Sequence, residues 1–175
     1  MLFRSRGIKA DGSEPLGTAY LVRTGDTSRN VRAAGYADGV ALLSNRLRIV
    51  EARTPVTAPV IDILAYFTGV AHVDELSRLK FRPGAVADHL TSFGGQLEGS
   101  AQMSALEWLR QGATASYGSV SEPCNLPGKF PNPAVFLDHY RRGGTLLEAY
   151  WKSVAMPGQG LFIGEPLARP YDSPR

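Results

Sequence analysis

Apolar runs alternate with capped, helix-like segments along most of this chain. Residues 60–67 are almost continuously apolar, which is typical of a strand that is buried on both faces of a sheet. Residues 46–51 alternate polar and apolar positions at period two, as an edge or half-buried strand does. The same reasoning predicts further strands at 16–22, 85–91 and 113–120.

Cap residues indicate where two of the helices begin. Asn132 followed by Pro133 is a typical helix start, with Asn as cap and Pro at the first helical position. Thr145 and Glu148 have the spacing of a capping box, for a helix that runs through Val154.

A third helix is predicted over 100–111. Ser100 or Ser104 caps it, Ser104 and Glu107 have the spacing of a capping box, and Gly112 ends it. A shorter helix is predicted to start at Asp26 or Ser28 and to run through residue 36.

The order of strands and helices predicts an α/β domain of three layers around a mainly parallel sheet. In this sheet we expect 85–91 and 113–120 to pair in parallel. We divide the chain into a lead-in segment (1–15), one α/β domain (16–171) and a tail (172–175), and predict a loop from 158 onward.

Charge and composition limit the kinds of molecule that this protein is expected to bind. The 175 residues carry a formal net charge of +3, and 43% of them are hydrophobic. The basic residues are dispersed among acidic ones rather than clustered on one stretch, which argues against a nucleic-acid partner. No apolar run approaches the ~18 residues of a membrane span. No export signal is recognisable at the start, and the compartment stays unknown.

The sequence contains none of the usual motifs of a metal site or a nucleotide-cofactor site. The three histidines, His72, His89 and His139, show no ligand spacing with each other or with Cys124, so no metal is predicted. No glycine-rich nucleotide-binding motif is present, so no cofactor is predicted. As the only cysteine, Cys124 excludes a disulfide within the chain.

Three predicted strands end in short segments rich in glycine, hydroxyl groups and other reactive side chains. In an open α/β sheet, ligands bind where the carboxyl ends of neighbouring strands meet. The candidate nucleophiles are Cys124 and Ser92, and the candidate bases are His89 and His72. After Ser92, a Gly-Gly pair could turn the backbone sharply and expose amide groups to an oxyanion. The predicted cleft also contains Thr68, Gly69, Phe93, Gly94, Gly95 and Glu122.

Most of the chain resembles the C-terminal half of an uncharacterised bacterial family that occurs alongside the exosortase protein-sorting system. Members of that family are about twice as long, and their setting implies the periplasm or cell envelope. The resemblance implies that the missing half could lie on another chain. It is carried by the segments 16–22, 67–69, 87–95, 112–118, 122–125, 129–133, 148–154 and 164–170.

A more distant resemblance is to the gingipain-like branch of the caspase fold. It rests on residues 62–69, 91–95, 100–120 and 164–167. In that branch a catalytic His-Gly ends one strand and a catalytic Cys ends the next. Aligned with this chain, Thr68 stands at the histidine position and Ser92 at the cysteine position, so neither member of the dyad is present.

Two hypotheses about function follow. The first is a non-catalytic, peptidase-like domain that binds a peptide or a partner protein in the former cleft. The second is a hydrolase of cysteine-peptidase or amidase type, with Cys124 or Ser92 as nucleophile. Because fewer strands are predicted than a caspase-like sheet contains, the sheet is expected to be incomplete on its N-terminal side. We therefore expect an unpaired edge beside strand 16–22, covered by a second copy or another chain.

Overall fold

One mixed sheet organises the computed structural model, which describes residues 2–12, 17–45, 47–53 and 59–171. Six strands in these ranges follow the order β2-β1-β3-β4-β5-β6. Neighbouring strands are parallel except that β6 runs antiparallel to β5, so the mainly parallel sheet is confirmed. The strands are β1 Thr18–Arg23, β2 Arg48–Arg53, β3 Val60–Thr68, β4 Leu79–His89, β5 Ala115–Ser119 and β6 Gly160–Gly164.

Helices pack on both faces of the sheet and make it the middle layer of three. On β3, Phe67 and Tyr66 point to opposite faces, as successive strand residues do. Phe67 meets Phe136 of α4 edge to face at 5.6 Å, whereas Tyr66 packs against Trp108 of α3 at 5.6 Å. The helices are α1 Leu2–Ile8, α2 Tyr36–Leu43, α3 Leu106–Gln111, α4 Pro133–Arg141 and α5 Leu146–Ser153, with 3-10 turns at Val31–Gly35, Leu76–Arg78, Pro127–Lys129 and Pro157–Gln159.

Each face has its own apolar core. The first contains side chains of α2, α4 and α5 together with alternate residues of the central strands. The second contains Trp108 with the residues of β1, β3 and β4 that point the other way. No helix in the described ranges is both long enough and apolar enough to cross a membrane.

Two of the predicted helix starts are confirmed. The side chain of Asn132 accepts hydrogen bonds from the backbone of Ala134 and Val135, and Pro133 is the first residue of α4. Thr145 and Glu148 form the full capping box of α5. Local sequence is sufficient at these positions because a cap is satisfied within one helical turn.

The helix predicted over 100–111 is shorter, since α3 begins only at Leu106. The predicted cap Ser104 accepts a hydrogen bond of 3.3 Å from the Leu106 N–H, although the residue directly before the helix is Ala105. Upstream of α3, the backbone donates elsewhere: Met103 N–H to Ala71 and Ala105 N–H to Gly94. Tertiary hydrogen bonds therefore compete with the helix in this segment and replace its first turns.

The edge prediction is wrong. Strand β1 lies inside the sheet, paired with β2 on one side and β3 on the other, and the sheet has more strands than predicted. The missing strand is β6, which falls in the segment predicted as a loop. Strand β4 also begins at Leu79, earlier than predicted, and continues through Pro83 and Gly84.

Other boundaries differ more modestly. Residues 2–8 of the predicted lead-in form α1. The helix predicted to start at Asp26 or Ser28 begins instead with the 3-10 turn Val31–Gly35 and continues as α2. Some residues of the predicted segments lie outside the described residues: 1 and 13–15 of the lead-in, Leu16, Arg46 and the tail 172–175.

Candidate functional site

The carboxyl ends of β3 and β4 lie side by side at one edge of the sheet, here called the carboxyl edge. Thr68 pairs in register with His89. Gly69 follows Thr68 and approaches the β1–α2 loop so closely that a Cβ would overlap the carbonyl of Arg29. Ser92 comes shortly after His89, and its side chain is fully buried.

The His89 imidazole is fully committed to structural contacts. Its Nε2 lies 2.9 Å from the carbonyl oxygen of Met103, and its Nδ1 accepts a hydrogen bond of 2.9 Å from the indole N–H of Trp108. The ring is therefore neutral, with its proton on Nε2. Burial lowers the pKa of His89 from 6.5 to about 4. Neither nitrogen is left to act as a base for Ser92 or Cys124.

We expect this histidine to make the fold acid-sensitive. Below pH 6.5 the unfolded chain takes up a proton that the folded chain accepts only near its pKa of about 4. The stability is therefore complete above 6.5 and falls by about 3 kcal/mol as the pH drops toward 4. Urea unfolding near neutral pH and near pH 4 should show a larger loss in the wild type than in His89→Gln. Other titrating groups cancel in this difference, and equal losses in both proteins would contradict the prediction.

Three backbone amides of the turn after Ser92 donate to groups within the protein and are therefore not offered to an oxyanion. The N–H groups of Phe93, Gly95 and Gln96 donate to the Gln102 side chain, the Ser119 carbonyl and the Phe93 carbonyl. The Ser92 hydroxyl has no hydrogen-bond partner among the described residues. The predicted nucleophile Ser92 thus has no described hydrogen bond to a base, and three of the amides that could have faced an oxyanion are occupied.

The loop that carries Glu122 and Cys124 reaches the carboxyl edge from β5. Cys124 is half-buried, and its Sγ lies 3.9 Å from the carbonyl oxygen of Ser28 in the β1–α2 loop. Glu122 is exposed. The buried ammonium of Lys129 donates to the carbonyl groups of Ser121 and Pro123 and so holds this loop in place. Burial lowers the pKa of Lys129. The nearby Glu122 and Cys124 act in the opposite direction and raise it.

The other two histidines have different surroundings. His72 is exposed, and its Nε2 lies 2.8 Å from the carbonyl oxygen of Ala101. His139 lies within α4, in the layer that α2, α4 and α5 form on one face of the sheet. None of the hydrogen bonds described for the three imidazoles involves Ser92 or Cys124. Within the described ranges, no group of three or more His, Cys, Asp or Glu side chains is arranged to hold a metal ion.

A polar chain that the sequence did not predict crosses the carboxyl edge. Arg29 donates from Nε to the Thr91 hydroxyl at 3.0 Å, and Thr91 donates to the Gln102 side chain at 2.7 Å. Asp26 pairs with Arg29 at 2.9 Å. This chain joins the loop after β1 to the turn after β4. None of these residues belongs to a recognisable motif. Only an expectation that the two loops meet could have identified this polar chain from the sequence.

A buried ion pair between Arg32 and Asp88 lies beneath this edge, on the face of α2, α4 and α5. The two side chains are 2.5 Å apart and almost completely buried. Arg32 also donates to the carbonyl groups of Thr68 at 2.9 Å and Pro131 at 3.3 Å. Burial raises the pKa of Asp88 to about 6, although the attraction of Arg32 acts in the opposite direction. Asp88 stands within the predicted strand 85–91, and a carboxylate in a buried strand requires a partner, so this position could have been identified from the sequence.

Arg32 also forms part of the wall of a cavity of about 320 Å³ beside the carboxyl edge. The cavity lies between the 3-10 turn Val31–Gly35 and the segment 127–133, and its walls are mostly apolar. Since Arg32 touches both this cavity and the end of β3, the cavity adjoins the predicted cleft. Its other walls come from Asn132 at the start of α4 and Ser153 at the end of α5.

The structure therefore brings some of the predicted site residues together, but it does not pair the candidate nucleophiles with a histidine. Thr68, Gly69 and Ser92 lie at the ends of neighbouring strands, and Gly94 covers the His89 ring. Cys124 lies beside Ser28 in the β1–α2 loop, the loop that Gly69 also approaches, but it has no described hydrogen bond to a histidine.

No protein-family model, no curated protein and no solved structure matches this chain. The assignment of a function therefore depends on the chemistry of the carboxyl edge.

Proposed function

We propose that this chain is a non-catalytic, peptidase-like domain, similar to the gingipain-like branch of the caspase fold, that binds a peptide or a partner protein. We place it in the bacterial, exosortase-associated setting that its sequence resembles. One observation carries the proposal: the imidazole at the strand ends, His89, has both nitrogens engaged by Met103 and Trp108. Catalysis by a nucleophile and base needs a free imidazole nitrogen within hydrogen-bond reach.

The sheet supports the peptidase-like part of the proposal. Strands β3 and β4 are parallel neighbours, so the segments that follow them leave the sheet at the same edge. Those are the two positions at which the gingipain-like branch carries its dyad. Here they hold Thr68 and Ser92, whose hydroxyl groups are buried and without a hydrogen-bond partner among the described residues.

The cavity beside Arg32 supports the binding part. Its volume of about 320 Å³ lies at the low end of the range for ligand sites, which suits a single apolar side chain of a peptide. Backbone and polar groups of the loop 121–126, which is largely exposed, lie next to it along the chain. A peptide seated at the carboxyl edge would insert one apolar residue into the cavity and contact this loop.

The test is selection of a phage-displayed peptide library on the wild-type protein. Gly128→Leu places a side chain on the cavity wall, and a Cβ there makes only ordinary contacts, the nearest at 3.5 Å to Ala155. We expect enriched peptides to bind the wild type and the control Gly158→Leu, whose position is open and outside the cavity. Binding to Gly128→Leu should fall at least about ten-fold.

Mass spectrometry of the bound peptides separates this function from the hydrolase alternative. The proposal expects the peptides to stay intact during prolonged incubation. Cleavage by the wild type that disappears in Cys124→Ala or Ser92→Ala would overturn it and identify the nucleophile. Equal binding by Gly128→Leu and the wild type would exclude the cavity as the peptide site.

A further inference from the structure

The cavity of about 320 Å³ beside the carboxyl edge has three polar side chains on its wall, those of Arg32, Asn132 and Ser153. Arg32 is only 5% exposed, pairs with Asp88 and donates to two backbone carbonyl groups. The hydroxyl of Ser153 donates to the carbonyl oxygen of Tyr150 at 2.8 Å. Arg32 and Ser153 are therefore committed to contacts within the protein.

The side-chain amide of Asn132 is held in one orientation by α4. Its Oδ1 accepts hydrogen bonds from the backbone N–H groups of Ala134 at 3.0 Å and Val135 at 3.2 Å. The reverse orientation would place the Nδ2 hydrogens against these two donors, so the cap determines where each atom lies. The Nδ2 group thus faces away from the two N–H groups, and it has no hydrogen bond to a described residue. Because Asn132 is exposed, its Nδ2 hydrogens remain available to a ligand.

The rest of the cavity wall is apolar and uncharged. It consists of proline, glycine and alanine residues together with Val31 and Phe130. A charged side chain of a ligand would lose its hydration here without gaining an ion partner, which costs free energy. An uncharged, apolar side chain therefore suits this cavity. A hydrogen-bond acceptor next to that side chain would match the donor of Asn132, and the backbone carbonyl groups of a peptide are such acceptors.

We propose that Asn132 is a specificity-determining residue of the peptide site and that its Nδ2–H donates to a backbone carbonyl of the bound peptide. The adjoining peptide residue inserts an uncharged, apolar side chain into the cavity. Because the fold fixes the donor and the apolar wall relative to each other, a peptide must present both groups together, which selects one register. This inference rests on the proposed function and adds to it the class of residue that the cavity accepts.

Asn132→Asp and Asn132→Ser test the donor and keep the cap, since Asp and Ser cap a helix about as well as Asn does. We expect both variants to retain the wild-type urea unfolding midpoint. Affinity for a peptide selected on the wild type, measured by fluorescence anisotropy, should fall about five-fold in Asn132→Ser, which loses one hydrogen bond. It should fall at least about ten-fold in Asn132→Asp, whose carboxylate would repel the peptide carbonyl.

Asn45→Asp is the matched control for the added charge. Asn45 is exposed and lies between α2 and the start of β2, at the edge of the sheet opposite to the carboxyl edge. We expect this variant to bind the peptide like the wild type. The enriched peptides should also share an apolar residue at the position that fills the cavity. Asp, Glu, Lys or Arg at that position would contradict the proposed class of residue.

Sulfur substitution in the peptide identifies the carbonyl that Asn132 binds. Peptides with one thioamide each, placed at successive positions, carry a weaker acceptor at that position. We expect one of them to bind the wild type about three-fold more weakly than the parent peptide. The same thioamide should leave the affinity of Asn132→Ser unchanged, because the two changes remove the same interaction.

The outcomes separate this inference from the proposed function. Wild-type affinity in both Asn132 variants, with affinity still lost in Gly128→Leu, would overturn the role of Asn132 and leave peptide binding in the cavity intact. A thioamide that weakens the wild type and Asn132→Ser equally at every position would overturn it as well. If no peptide binds the wild type, the proposed function and this inference are both wrong.

Discussion

Replacing Asp88 with leucine is expected to lower the free energy of unfolding by about 3–5 kcal/mol, because Arg32 then remains buried with an uncompensated charge. The pair is 2.5 Å apart and almost fully buried, so neither solvent nor another carboxylate replaces the lost partner. Urea unfolding followed by circular dichroism measures the change, with the slope of the transition checked for two-state behaviour.

A double-mutant cycle gives this prediction its control. Arg32→Met combined with Asp88→Leu removes both charges, and we expect it to recover most of the stability that Asp88→Leu loses. The exposed pair of Arg110 and Glu107 provides a matched comparison, and Glu107→Gln should cost less than about 0.5 kcal/mol. Asp88→Leu with wild-type stability would show that the ion pair does not hold the β1–α2 segment against the sheet.

Gly118→Ala is expected to destabilise the protein by about 3 kcal/mol or more. A Cβ at Gly118 would lie 2.7 Å from the carbonyl oxygen of Gly94 and closer still to the Gly95 amide nitrogen. Both neighbours are backbone atoms, so no side-chain rotation relieves the overlap. The turn after Ser92 would have to move off β5 and lose the hydrogen bond from Gly95 N–H to the Ser119 carbonyl.

The matched control for this substitution is Gly35→Ala. A Cβ at Gly35 meets no atom within 4 Å, and its φ of −90° is open to any residue. We expect this variant to be as stable as the wild type or slightly more stable, since alanine reduces the freedom of the unfolded chain. Equal unfolding midpoints for Gly118→Ala and Gly35→Ala would mean that the turn does not pack on β5 as described.

Both predictions concern the support of the carboxyl edge rather than its exposed groups. Arg32 fixes the segment after β1 against Thr68, and Gly118 admits the turn after β4 against β5. If the edge binds a peptide, these contacts hold its two sides in place before the peptide arrives. Preorganisation of this kind reduces the entropy cost of binding.

The sequence predicted the parts of the fold that depend on near neighbours. Strand β3 was recognisable because nearly every position is apolar, which requires only that both faces be covered. The starts of α4 and α5 were recognisable because Asn132 and the pair of Thr145 and Glu148 complete their hydrogen bonds within one turn. The antiparallel strand β6 was missed because a short strand between glycines becomes a strand only by pairing with β5.

Among the candidate site residues, the sequence placed Thr68, Gly69 and Ser92 at the ends of β3 and β4, and it placed Glu122 and Cys124 in a loop that follows a third strand. What those groups can do was decided by partners distant along the chain. Trp108 and Met103 occupy the ring nitrogens of His89, and Arg32 reaches Thr68 and Asp88 from the segment after β1. Residue types and spacing do not reveal such contacts, because hydrogen bonds and ion pairs between remote segments form only when the packed sheet brings their atoms within reach. The sequence by itself thus determined a three-layer, mainly parallel α/β fold, whereas the tertiary structure decided that its strand-end histidine is a buried structural group.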